Sequence, residues 1–293
     1  MLKFIENGIK KQQQEMDDWY KEHCEKYPGN GEAQVIANVP YIDDGQDTHK
    51  MDIYSPAYHE APMPVIIDFH GGGLLMCDRK VNHWFCCEMA RRGALVFSVD
   101  YPLVPDTDVN GIFADVYEAL MKIDNIVADC GGDKKKITLC GDSAGAFIAM
   151  YLAAACNDEE LARAMGIWNL NMPIKSVVGI SGMYYSSKID KQGLFVMRNA
   201  FYGKKFSKNR VWPYVNPETI LAFVPSVMMF TSTGDYLRSY TVELAHAMME
   251  AGKDMILRDI DNNELKHDFV ALQHDAEESQ QMMDEIMTFI SRY

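Results

Sequence analysis

The stretch Ile137-Thr138-Leu139-Cys140-Gly141-Asp142-Ser143-Ala144-Gly145 passes from a short apolar segment, through a serine between two glycines, into an apolar run that reaches Cys156. The first four residues read as a buried strand and the run from Ala144 as a helix, which sets the serine at a tight strand-to-helix turn. A chain folding back this sharply leaves no room for side chains two residues either side of the turn, and Gly141 and Gly145 meet that need. The Ser143 hydroxyl should then project above the edge of a sheet.

Outward from this turn, short and nearly continuous apolar runs recur at Val65–Phe69, Ala94–Val99, Val177–Ile180, Val227–Phe230 and Met255–Leu257. Such runs mark strands covered on both faces, as in a parallel sheet. Helical periodicity separates them, carried by Phe113, Val116, Tyr117, Leu120, Ile123 and Val127, by Tyr240, Leu244, Ala247 and Met248, and by Met283, Ile286, Met287 and Ile290. The alternation predicts an α/β fold with a mostly parallel, doubly wound sheet and helices on both faces, ligands gathering beyond the carboxyl ends of the strands. An antiparallel pair is expected before it, at Tyr41 and at Met51–Tyr54, the second strand closed by Ser55-Pro56. A single catalytic domain over residues 1–293 is expected. Its small helical cap would comprise about 1–40, where Phe4, Ile5, Ile9, Met16, Trp19 and Tyr20 fall at helical spacing, and about 184–221, rich in aromatic and basic residues.

Directly after Val65–Phe69 comes His70-Gly71-Gly72-Gly73. Consecutive glycines leave backbone N–H groups uncovered, so Gly72 and Gly73 could face the oxygen of a tetrahedral intermediate, with the N–H of Ala144 beside them. A phosphate cradle would call for a G-K-S/T setting, which is missing. His70 reads as a residue orienting this loop. Taken in order, H-G-G-G and G-D-S-A-G resemble the hormone-sensitive-lipase-like esterase and carboxylesterase branch of the α/β-hydrolases. Asp100-Tyr101-Pro102-Leu103-Val104-Pro105-Asp106 is similar to that branch's D-Y-R-L-A-P-E, Gly234-Asp235-Tyr236-Leu237 to its acid turn, and His267-Asp268-Phe269 to its H-x-F turn. The resemblance spans about Asp52 to the C-terminus and departs from the branch at Cys77 (usually glycine), Pro102 (arginine) and Asp106 (glutamate).

Asp235 follows the run Val227–Phe230 and His267 follows Met255–Leu257, which gives the hydrolase order Ser, Asp, His. The expected catalytic residues are Ser143 as nucleophile, His267 as general base and Asp235 as the acid that orients it. Of the eight histidines, His274 is the rival, because it too follows the last strand; His23, His49, His59, His83 and His246 read as surface or packing residues. Among carboxylates, Asp142 reads as a local hydrogen-bonding residue, while Asp261 and Asp268 crowd the histidine turn without following a strand.

A net charge of −14 disfavours nucleic acid, and the longest basic run, Lys134-Lys135-Lys136, reads as a solvated turn before a strand. Seven cysteines, an odd number without C-x-x-C spacing, indicate neither a zinc site nor a disulfide framework and fit a reducing compartment. The N-terminus turns polar within a few residues, unlike a secretion signal, and no apolar segment is long enough to span a membrane, so a cytoplasmic protein is expected. No metal and no cofactor are implied. The expected partner is a small-molecule ester, and a homodimer is compatible with an acidic, cap-bearing chain. The resemblance implies a serine carboxylesterase acting on short-chain esters, acetyl esters included, through an acyl-enzyme. Trp19, Tyr20, Tyr184, Phe195 and Phe201 are the candidate walls of the acyl pocket, and the methionines, Met183 among them, read chiefly as core filler. A peptidase or amidase with the same triad and a non-catalytic ligand-binding protein stay open as alternatives.

Overall fold

The computed structural model describes residues 3–23, 33–59, 62–168, 172–188 and 198–293. The chain begins with helix α1 (Lys3–His23), strands β1 (Ala33–Pro40), β2 (Lys50–Pro56) and β3 (Met63–Phe69), helix α2 (His83–Arg91) and strand β4 (Leu95–Val99). There follow α3 (Val109–Ile126), β5 (Gly132–Asp142), α4 (Ala144–Ala155), α5 (Glu159–Met165), β6 (Ile174–Ile180) and α6 (Arg198–Tyr202). The last elements are β7 (Ser226–Ser232), α7 (Arg238–Glu250), β8 (Met255–Ile260), α8 (Phe269–Leu272) and α9 (Glu277–Ile290).

The strands form one sheet in the order β1-β2-β4-β3-β5-β6-β7-β8. The pairs β1–β2 and β2–β4 are antiparallel, and every later pair is parallel. The apolar runs of the central strands lie fully buried because helices cover both faces. One core joins α3, α4 and α7 to one side of the sheet, through Phe113, Phe147, Tyr151 and Leu244. A second joins α2, α8 and α9 to the other, through Trp84, Phe85, Phe269, Met283 and Ile286. Every residue of α4 is buried or nearly so, which explains its run of alanines: small side chains let the helix lie close against β3, β5 and β6.

The opening strand occupies Ala33–Pro40, and Tyr41 begins the turn after it. Most of β1 is exposed, so its sequence lacks the inward-outward alternation that marks a half-buried strand. The lysines at 134–136 form part of β5 itself, at the exposed beginning where that strand starts outside the core. The segment near 198–221 contains α6 and short 3-10 turns, and no strand among its described residues.

Candidate active site

At the end of β5 the backbone of Ser143 takes φ +49° and ψ −111°, a conformation that costs a non-glycine residue on the order of 1–3 kcal/mol. The surroundings enforce it. The Ser143 N–H donates to Ile180 O (2.8 Å), and the Ser143 carbonyl accepts from the Met183 N–H (2.8 Å). A Cβ on Gly141 would overlap the Gly145 backbone, and one on Gly145 would overlap the Phe69 carbonyl. The two glycines are therefore fixed by the close passage of α4 over β3 and β5.

The Ser143 hydroxyl is 3.0 Å from His267 Nε2, and His267 Nδ1 donates to Asp235 Oδ1 at 2.7 Å. Asp235 sits just beyond β7, where it also accepts from Thr231 Oγ1 (2.9 Å) and from the Leu237 N–H (2.9 Å). Burial alone would raise its pKa, yet these hydrogen bonds, that from His267 foremost, hold the carboxyl below its ordinary range. The histidine loop is pinned from two sides: Ser232 Oγ donates to Leu265 O (2.6 Å), and the Asp268 N–H donates to Ser181 Oγ (3.0 Å). His274 lies elsewhere, against Asp275 and the Trp84 ring, and Asp261 is exposed.

Gly72 (φ +101°) and Gly73 (φ +62°) follow β3 in left-handed conformations and border the same cavity as Ser143. Ala144 is the first residue of α4, so its N–H points out of the helix beginning without an intrahelical acceptor. The sequence-expected donors Gly72, Gly73 and Ala144 thus flank the serine. Buried His70 supports the loop. Its ring stacks on Tyr101 (centroids 4.3 Å apart), Nδ1 donates to Gly71 O (2.7 Å), and Nε2 lies 3.3 Å from Asp100 Oδ1. Burial would favour the neutral ring, but the Asp100 carboxylate and the Gly71 carbonyl outweigh it and raise the His70 pKa. Tyr101 donates its hydroxyl to His70 O (2.6 Å), so both residues of the Asp100-Tyr101 pair serve this loop. Behind them Arg79, nearly fully buried, bonds Asp100 Oδ2, Asp52 Oδ1 (2.9 Å) and Asn38 Oδ1 (2.6 Å).

Three further carboxyls lie buried beside the serine. Asn82 Nδ2 donates to Asp142 Oδ1 (2.7 Å) and to Asp68 Oδ2 (3.0 Å). Asp268 Oδ2 is 3.2 Å from His267 Nε2. Burial, with the Asp142 charge adding to it, pushes the Asp68 carboxyl up to about 7. Burial likewise raises Asp142, and raises Asp268 well above the ordinary carboxylate range, where the charges of Asp142 and Asp235 add to the effect.

The serine opens into a cavity of about 560 Å³ walled by Met16 and Trp19 of α1, by Leu75, Met76 and Cys77 of the glycine loop, and by Met183, Tyr236 and Leu272. Of the pocket residues expected from sequence, Trp19 lines it. Tyr184 and Phe201 do not: both are fully buried, Tyr184 against Gly179 and Gly182, and belong to the core below. The Tyr20 side chain and Phe195 lie outside the described residues. Tyr236 and Leu75 border the cavity without any periodic signal to announce them, whereas Cys77, at φ +70°, holds a backbone shape that suits the glycine usual in the resembling branch. The six described cysteines are free thiols.

Residues 66–271 match the α/β hydrolase fold family, and the chain belongs to it. Within the family, it is 29% identical over 216 residues to a probable isoprenylcysteine alpha-carbonyl methylesterase of Oryza sativa, covering 69% of this chain and 50% of that protein. It is 25% identical over 152 residues to the kynurenine formamidase of Danio rerio, covering 52% and 47%. The chain thus spans about half the length of these curated relatives. Its fold superposes on esterase B from Lactobacillus rhamnosis, inhibited by a tributyrin phosphonate, with a TM-score of 0.92 at 20% identity, covering 100% of this chain and 96% of the other. No helix among the described residues is long and apolar enough to cross a membrane.

Proposed function

We propose that this chain is a serine carboxylesterase that hydrolyses small, short-chain esters, acetyl esters among them, through an acyl-enzyme on Ser143. The observation that carries the reading is the chain of contacts from Ser143 Oγ through His267 to Asp235, with spacings of 3.0 and 2.7 Å. His267 Nε2 takes the hydroxyl proton as Ser143 Oγ attacks the ester carbonyl, and Asp235 stabilises the imidazolium that results. The N–H groups of Gly72, Gly73 and Ala144 receive the developing oxyanion, each contributing on the order of 3 kcal/mol to the transition state. His267 then passes its proton to the leaving alcohol, and water, activated by the same imidazole, resolves the acyl-enzyme.

The apolar wall of the cavity would receive the acyl chain. Met16 and Trp19 would act as part of a cap over the acyl group, with residues near 184–221 completing it. The free thiols support a reducing, cytoplasmic setting, and a homodimer remains part of the proposal. The match to a formamidase gives one alternative some support: the same triad acting on an N-formyl amide.

The test is turnover of p-nitrophenyl esters of increasing acyl length, and of an N-formyl arylamine, by the wild type and by Ser143→Ala. Rapid turnover of the acetyl and butyryl esters, abolished in the variant, is expected. Full turnover by Ser143→Ala would overturn the mechanism, and a preference for the formamide would move the reading to the amidase.

A further inference from the structure

We propose that Arg79, Asp52, Asp100 and His70 form a charge-balanced buried quartet in which His70 stays an imidazolium, and that this cation aims and strengthens the Gly72 N–H for the oxyanion. The catalytic consequence rests on the esterase reading above, whereas the charge state stands on contacts that need no substrate.

The ring of His70 is fully buried. Its Nδ1 lies 2.7 Å from Gly71 O, and its Nε2 lies 3.3 Å from Asp100 Oδ1, so each nitrogen faces an accepting oxygen. A neutral imidazole carries a single proton and presents a lone pair at the other nitrogen. Either tautomer therefore turns a lone pair toward an oxygen, the carbonyl in one case and the carboxylate in the other. The imidazolium makes both contacts attractive.

The charges around the ring require the same state. Arg79 Nε lies 2.9 Å from Asp52 Oδ1, Arg79 Nη1 donates to Asp100 Oδ2, and the Arg79 backbone N–H donates to Asp100 Oδ1 (3.1 Å). One guanidinium thus meets two carboxylates, and all four side chains of the quartet are buried. Buried charges persist when they are paired, so the second carboxylate calls for a second cation, which His70 supplies. Around the ring, Tyr101 stacks on one face, and the carboxyls of Asp142 at the end of β5 and Asp68 of β3 lie near enough to favour the charged form as well.

The cation acts through one peptide unit. The bond between Gly71 and Gly72 is trans, and in a trans peptide the carbonyl and the N–H point in opposite directions. Pinning Gly71 O to Nδ1 therefore turns the Gly72 N–H to the side away from the ring. A charged donor on that carbonyl also polarises the unit, which makes its N–H a stronger donor. His70 is in this sense a positioning residue, acting on substrate only through Gly72.

The experiment joins ring-nitrogen NMR of histidine-labelled protein, without substrate, to kinetics on p-nitrophenyl butyrate. The His70 signal, recognised by its contact with the Tyr101 ring, should carry protons on both nitrogens up to about pH 9, far above ordinary histidine titration. In Asp100→Asn the amide keeps the contact without the charge. His70 should then lose one proton near neutrality, and an alkaline decline in kcat absent from the wild type should accompany that loss. His70→Asn keeps a donor for Gly71 O but no cation, so kcat should fall about tenfold at every pH with KM unchanged, and without the added decline. A singly protonated His70 in the wild type at neutral pH, or wild-type kcat in His70→Asn, would overturn the inference. The wild-type spectrum decides the charge state even if both variants fail to fold or the protein hydrolyses no ester, so its failure is distinguishable from failure of the esterase reading.

Discussion

The ring of Tyr236 lies over the imidazole of His267, their centroids 4.2 Å apart and their planes inclined by 42°. An aromatic face in this position attracts the imidazolium that forms during each proton transfer, an effect of about 0.5–2 kcal/mol. Replacing Tyr236 by alanine should lower kcat by about three- to tenfold, while phenylalanine, which keeps the ring, should stay close to the wild type. Steady-state kinetics on the two variants checks this, and equal losses in both would place the contribution in the hydroxyl.

Asp235→Asn tests the orienting contact. The amide can offer its N–H to Nδ1 and so favour the wrong tautomer, leaving Nε2 protonated and unable to accept from Ser143. A fall in kcat of about four orders of magnitude is expected with KM little changed. A fall of less than tenfold would mean that Asp235 does not set the tautomer.

Asp68 makes stability depend on pH in a direction opposite to most carboxyls. Its pKa is about 7 in the folded chain against 3.8 for the free group, so between these values the folded state holds the proton and the unfolded state has released it. Stability therefore declines as pH rises through that window and levels off above it. Asp68→Asn, which keeps the Asn82 contact, should flatten the decline and stabilise the chain above neutrality by up to about 4 kcal/mol, one pKa unit being about 1.4 kcal/mol. Urea melts of both proteins across the window would show this, and parallel curves would contradict it.

Trp19 contributes its side chain to the cavity wall from α1. Removing it as Trp19→Ala should widen the acyl site, raise relative turnover of longer p-nitrophenyl esters, and cost several-fold in kcat/KM on the butyrate. An unchanged chain-length profile would take α1 out of substrate recognition.

Much of this arrangement was legible in the sequence wherever one local constraint decides the residue. The turn at Ser143 requires small neighbours, and Gly141 and Gly145 stand where α4 passes over the sheet. The buried runs announced the parallel strands, and a strand end is where Asp235 had to be sought. Arg79 and Asn82 escaped because they lie in a short 3-10 turn, which lacks periodicity, and their partners Asp52, Asp68, Asp100 and Asp142 come from distant strands or, for Asp100, from just beyond one. Tyr184 and Phe201 misled for a related reason: an aromatic side chain in a loop or a one-turn helix reports burial, and only the fold tells whether it faces the cavity or the core. The β1 strand was misplaced because its residues face solvent on both sides.

Arg79 gives the antiparallel margin of the sheet a bearing on chemistry far from it. Its guanidinium gathers Asn38 of β1, Asp52 of β2 and Asp100 after β4, and Asp100 in turn faces the histidine that steadies the glycine loop. A shortened chain lacking its first two strands would retain serine, imidazole and carboxylate, yet it would strand a buried cation with half its counter-ions gone. The margin is in this sense a distant anchor for the amides that receive the oxyanion.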